Sequence, residues 1–123
     1  MNRNDISGAV VDAAMKIHSA LGPGLLESAY AVCLKHELIK RGLKVASEVP
    51  LPVVYDGVRL ESGYRLDLVV EDTVVVELKA IEALAPIHQA QIISYLKLSG
   101  KTNRLAHQFP FASFEDGIKR FVV

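Results

Sequence analysis

The chain has 123 residues, half of them hydrophobic, and 14 basic side chains balance 14 acidic ones. This composition excludes a disordered segment and a generally basic nucleic-acid-coating surface, and the length suits one domain, residues 1–123, with its own core. A single cysteine, Cys33, excludes a disulfide framework and reads as a core thiol in a reducing setting.

No apolar run approaches the ~20 residues that span a bilayer. Met1-Asn-Arg-Asn-Asp5 lacks the charged-then-apolar layout of a secretory leader. The expectation is a cytoplasmic protein with no membrane partner.

Ile6, Val10, Ala14, Ile17 and Leu21 recur at three- and four-residue steps, predicting a helix from about Asn4 or Asp5 to Leu21, which Gly22 stops. Gly22-Pro23-Gly24 breaks the chain before a second helix, about Leu25 to Arg41. Its apolar stripe is Leu26, Tyr30, Cys33/Leu34 and Leu38, and Gly42 caps it. Val45–Tyr55 then reads as extended, with Pro50 and Pro52 favouring a sheet edge. Asp56-Gly57 signals a hairpin into Val58–Leu60. Tyr64–Val70 and Val74–Ala80 are strands around a short acidic turn, and Pro86 opens a third helix to about Leu98, ended by Gly100. Leu105–Phe109 and Ile118–Val123 are the last candidate strands. The order predicts an α/β fold, a mixed central sheet flanked by helices.

A hairpin loop at 71–73 places Asp67 opposite Glu77. Strand alternation then puts Arg65, Asp67, Val75, Glu77 and Lys79 on one face, and Leu66, Leu68, Val70, Val74, Val76 and Leu78 on an apolar core face. Two facing carboxylates repel unless neutralised, and a hard divalent cation does this while keeping waters for a phosphate. Crowding between Asp67 and Glu77 predicts a raised pKa for at least one of them. Lys79 lies where it would orient an attacking water or offset transition-state charge. Gln91 and Tyr95, four apart, share a helix face, with His88 three residues before Gln91 on the same side.

Each of these residues also has a plainer reading. Lys79 neutralises two strand carboxylates, Arg65 pairs with a neighbouring carboxylate, and Gln91 and Tyr95 are an amphipathic surface. Glu27 favours a helix dipole, Tyr30 is at least partly core, and His88 and His107 are non-catalytic. Glu48, Glu71 and Asp72 read as solvated surface or turn residues.

Taken together, Gly24-x-x-Glu27-x-x-Tyr30, Gly63-Tyr64-Arg65-Leu66-Asp67, Val76-Glu77-Leu78-Lys79-Ala80 and Gln91-x-x-x-Tyr95-Leu96 resemble the GxxExxY protein family, placed in the PD-(D/E)XK nuclease superfamily. The likeness covers nearly the whole chain and implies a restriction-endonuclease-like core. It implies Asp67 and Glu77 as principal metal ligands, Glu27 as a helical carboxylate completing the site, and the Leu78 carbonyl as an assisting ligand. Lys79 becomes the catalytic lysine, while Gln91 and Tyr95 match an element that contacts nucleic acid or braces the site, with Tyr30 and Arg65 as supporting residues. The implied activity is Mg²⁺-dependent hydrolysis of DNA, with Mn²⁺ as substitute and a homodimer as an assembly. The competing reading is a catalytically silent nucleic-acid-binding or protein-interaction module on the same fold. Leu66 stands where the superfamily name has proline, and Arg104–Phe109 carries His107 and Gln108 where relatives are more apolar.

Overall fold

Asn2 caps the first helix: its side chain accepts from the Asp5 amide, and Asp5 accepts from the Asn2 amide in return. The computed structural model describes residues 2–22, 24, 26–79, 85–98, 105–110 and 119–122. In chain order the elements are α1 (Arg3–Leu21), α2 (Glu27–Lys40), β1 (Val45–Tyr55), β2 (Val58–Val70), β3 (Val74–Lys79), α3 (Pro86–Leu98), β4 (Leu105–Pro110) and β5 (Lys119–Val122). The predicted strand end at Ala80 and helix stop at Gly100 lie outside the described residues.

One five-stranded sheet runs β1-β2-β3-β4-β5. Neighbouring pairs are antiparallel except β3 and β4, which are parallel and joined through α3, so the sheet is mixed. β1 is an edge strand, where Pro50 and Pro52 remove no hydrogen bond from the interior of the sheet.

Both faces of the sheet are covered. Leu68, Val70, Val74, Val76 and Leu78 pack against Ile6, Val10, Ala13, Ala14 and Ile17 of α1 and Tyr30, Leu34 and Leu38 of α2. On the opposite face Leu66, Val69 and Val75 pack with Leu51, Ala106 and Ile92 and Leu96 of α3. Val74–Leu78 is therefore buried throughout, as a central strand covered on both sides must be.

Three expectations need correction. Leu21 and Leu26 are exposed and do not belong to the apolar stripes of α1 and α2, because both stand where the helices end and the chain leaves the core. Val58–Leu60 and Tyr64–Val70 form one strand, since the Ser62-Gly63 region is taken up as a bulge. Between the pairs Leu51↔Tyr64 and Val53↔Leu60, β1 contributes one residue and β2 three.

The third correction concerns strand faces. Leu66 packs in the α3 layer while Leu68 packs in the α1/α2 layer, so strict alternation fails between them. The break coincides with Glu48 on β1, whose φ of +51° is left-handed. The register pairs Ser47 with Leu68 and Val49 with Leu66, and the intervening Glu48–Asp67 pair is missing. Val75, expected on a polar face beside Glu77, is instead core.

β4 carries the two polar residues that distinguish it, and each ties one helical layer to the sheet. His107 Nε2 meets the Ser7 hydroxyl of α1, both side chains being buried. Gln108 donates from Nε2 to the His88 carbonyl of α3 at 2.9 Å. Polar groups in a core persist when such partners are supplied.

Candidate functional site

β2 and β3 stop pairing at Leu68↔Val76, leaving backbone amides that the sheet no longer satisfies. Two carboxylates take over. The Asp67 amide donates to Glu77 Oε1 at 3.1 Å, and the Leu78 amide donates to Asp67 Oδ2 at 2.7 Å. Each acid thus holds the other's neighbourhood of backbone through one oxygen. The order of residues dictates this: the hairpin turn at 71–73 sets the register, with the Thr73 amide donating to the Val70 carbonyl at 3.0 Å.

Asp67 is partly buried and opens onto a cleft of about 460 Å³. Glu27 and Lys35 of α2 and Ser47 and Glu48 of β1 also line it. Glu27 sits in the first turn of α2, where the positive end of the helix favours a carboxylate. Glu77 is only 3 % exposed and lies behind Asp67 rather than on the cleft wall.

Burial raises the Asp67 pKa above its ordinary 3.8, and the Leu78 amide opposes that rise. Glu27 raises it further, Lys79 lowers it, and Glu48 raises it. The predicted direction therefore holds for Asp67, but desolvation is its main cause, and the neighbouring charges that add to it belong to Glu27 and Glu48 rather than Glu77.

Tyr30 is fully buried beneath the cleft layer, where desolvation and then Cys33 push its hydroxyl up to about 12. It is a core anchor of α2, packed in the same cluster as Leu34, Leu38 and Leu78. Arg65 is exposed on β2 opposite Pro50, and Gln91 is exposed on α3. Neither lines the cleft. Tyr95 lies on α3, and its side chain is outside the described part. His88 accepts the Ala85 amide on Nδ1 at 3.0 Å, so it serves the start of α3.

A model of the PD-(D/E)XK nuclease superfamily matches residues 4–121. The chain belongs to the PD-(D/E)XK nuclease superfamily. No curated protein and no solved structure matches it. The mixed sheet with helices on both faces is consistent with the superfamily's restriction-endonuclease-like fold. No helix among the described residues is long and apolar enough to cross a membrane.

Nucleases of this superfamily generally use divalent metal ions. The donor chemistry around Asp67 fits one: the candidate ligands are carboxylate oxygens, the hard donors that Mg²⁺ and Mn²⁺ prefer. Among the described residues no three or more His, Cys, Asp or Glu side chains meet closely enough to hold a metal together. An ion held by one or two carboxylates with waters completing its shell is the arrangement compatible with that spacing.

The sequence reading gives Glu48 as surface and assigns no role to Lys35, yet both line the cleft. The two-residue Asp56-Gly57 turn would pair β1 and β2 two residues out of the register seen near the site. Only the bulge brings Glu48 opposite Asp67, and its sole advance signals are Pro52 and Ser62-Gly63.

Proposed function

We propose that this chain is a metal-dependent nuclease that hydrolyses phosphodiester bonds in DNA, a member of the GxxExxY branch of its superfamily folded as one domain over residues 1–123. The observation that carries this reading is the exchange of amide hydrogen bonds between Asp67, Glu77 and Leu78 where β2 and β3 part. It presents a half-buried carboxylate, Asp67, on the cleft that Glu27 also lines, with the buried Glu77 fixed next to it and Lys79 close enough to lower the Asp67 pKa.

Asp67 and Glu77 would hold Mg²⁺, or Mn²⁺ in its place, with Glu27 acting through a bound water and the Leu78 carbonyl as a further oxygen. The chemistry such an ion supplies when bound is polarisation of a phosphoryl oxygen and a lowered pKa for a coordinated water. The protein's own contribution is positional. Hydrogen bonds from two backbone amides fix the carboxylate orientations, so little reorganisation is needed on binding. The Lys79 ammonium offsets negative charge on the phosphorane-like transition state and orients the attacking water. The water gives up a proton to solvent and forms the new P–O bond, the ester P–O bond breaks, and the leaving oxygen takes up a proton. Gln91 and Tyr95 would meet the nucleic acid from α3 and Arg65 from β2, with Tyr30 holding α2, and so Glu27, in place. A homodimer would supply contacts to a second strand.

Cleavage of single-stranded, duplex and branched DNA with Mg²⁺ or Mn²⁺ tests this, comparing wild type with Asp67→Ala and Lys79→Ala. Metal-dependent cleavage lost in both variants is the expected result. No activity on any substrate, or activity unchanged in both variants, overturns it.

A second reading, a silent nucleic-acid or protein-binding module, draws support from the balanced charge and from the lack of a three-acid cluster among the described residues. Titration of the folded protein with Mn²⁺ separates the two: no heat and no thermal shift favours the silent module.

A further inference from the structure

We infer that Lys35 is a phosphate-binding position for a nucleic-acid strand lying along α2, a claim that rests on the nucleic-acid reading above. The cleft beside Asp67 is strongly acidic: Glu27, Glu48 and Asp67 all line it. A polyanion enters such a cleft only where cations offset these charges. Among the described residues that line it, Lys35 is the one cationic side chain.

Its electrostatic state separates it from Lys16 and Arg41, the paired bases of the α1/α2 layer. Lys16 is held by Glu37 at 3.0 Å, and Arg41 by Asp12 at 2.7 Å and Glu37 at 3.3 Å. None of the ion pairs among the described residues uses Lys35. Lys35 Nζ instead donates to the neutral Ser47 hydroxyl at 3.1 Å. That bond ties the ammonium to another residue of the cleft lining, ion-pairs it with no carboxylate, and leaves two N–H groups for phosphate oxygens.

Helix geometry supplies a distance. Glu27, Ala31 and Lys35 follow at four-residue steps and share the α2 face that lines the cleft. Eight residues advance about 12 Å along the axis. A stacked strand rises about 3.4 Å per nucleotide, so Lys35 meets a phosphate roughly three to four nucleotides from the one beside Glu27 and Asp67.

Fluorescence anisotropy with a labelled single-stranded oligonucleotide, in chelator without divalent metal, tests the position independently of catalysis. Affinity is measured between about 50 and 200 mM salt. Lys35→Ala is expected to weaken binding and to flatten the plot of log affinity against log salt by about 0.7, one single-strand phosphate contact. Lys35→Arg should retain the wild-type slope. Lys40→Ala, at the far end of α2 and away from the cleft, should change the slope much less. An unchanged slope in Lys35→Ala, or an equal loss in Lys40→Ala, overturns the inference and leaves the nuclease reading standing. Wild type that binds no oligonucleotide, either in chelator or with Ca²⁺ added, overturns both. Should Lys35→Ala not fold, Lys35→Gln makes the same measurement with the side-chain stem retained.

Discussion

The Asp67 amide donates to Glu77 Oε1 across the point where β2 and β3 cease to pair, so a buried acid completes the sheet's own hydrogen bonding. Glu77 therefore has a structural duty that can be separated from any chemical one. Glu77→Gln keeps an oxygen acceptor and should fold like wild type while losing metal-dependent activity. Glu77→Ala leaves the Asp67 amide without its partner in a buried setting and should cost about 1–3 kcal/mol. Urea denaturation of both variants checks this, and equal stabilities would show that the hydrogen bond contributes nothing.

Asp67 makes a prediction of its own. Its pKa is raised in the folded state, first by burial, so the folded protein holds the proton more tightly than the unfolded chain. Its ionised form is a liability at neutral pH, and stability from this group is full below the ordinary value of 3.8 and lost as pH rises through the folded value. Asp67→Asn, which still accepts from Leu78, should melt higher than wild type at pH 7. The gap should close as pH falls towards 3.8. Metal affinity of wild type should also fall with pH over the same window, because the proton competes for the ligand. Thermal melts and Mn²⁺ titrations across pH read both effects; an Asp67→Asn variant that melts lower than wild type at pH 7 sinks the first.

Glu37 gives the reverse pH dependence at a distance from the site. A hydrogen bond from Lys16, with further help from Arg41, holds its carboxyl below the ordinary 4.5 despite desolvation. The clamp between α1 and α2 is fully present above that value and is lost as pH falls through the folded one. Glu37→Gln should lower the melting temperature at pH 7, and the deficit should shrink below about pH 4. A deficit that does not vary with pH would assign the loss to packing instead.

Much of this was legible in the chain. Three- and four-residue spacing placed Ile6, Val10, Ala14 and Ile17 in the core, and alternation placed Leu68, Val70, Val74, Val76 and Leu78 there. What alternation could not foresee was its own failure at Asp67. A left-handed backbone at Glu48 and a bulge opposite Pro52 are non-local matters of register, and no periodicity within one strand encodes them. The second covered face was missed for a related reason. Val69 and Val75 look like incidental apolar residues on a polar face until α3 is laid across them. The polar residues of β4 were recognised as unusual, but their meaning needed Ser7 and His88, residues far away in sequence.

The Ser7–His107 contact also makes a prediction. Ser7 is the hydroxyl on α1 that meets His107 across the core, and both are buried. Ser7→Ala should destabilise by about 1–3 kcal/mol, because the imidazole loses a partner it cannot replace with water. Ser7→Ala combined with His107→Leu, which suits the apolar layer, should recover most of that loss. Additive losses in the double variant would show that the two side chains do not act as a pair.

Glu48 offers the sharpest test of how backbone shape makes the site. Its φ of +51° is a conformation that glycine adopts freely and β-branched residues resist. Glu48→Gly should therefore hold stability within about 1 kcal/mol of wild type, the relief of strain offsetting the entropy of a freer unfolded chain. Glu48→Val should lose about 1–3 kcal/mol, or else pull β1 into regular pairing opposite Asp67. In the second case Asp67 turns from the cleft and metal affinity falls with it. Both substitutions remove the Glu48 charge, which raises the Asp67 pKa. Carboxyl-carbon NMR titration of Glu48→Gly should then find Asp67 shifted down. Equal stability of the glycine and valine variants, with equal metal affinity, would mean that the left-handed turn at Glu48 does not shape the site.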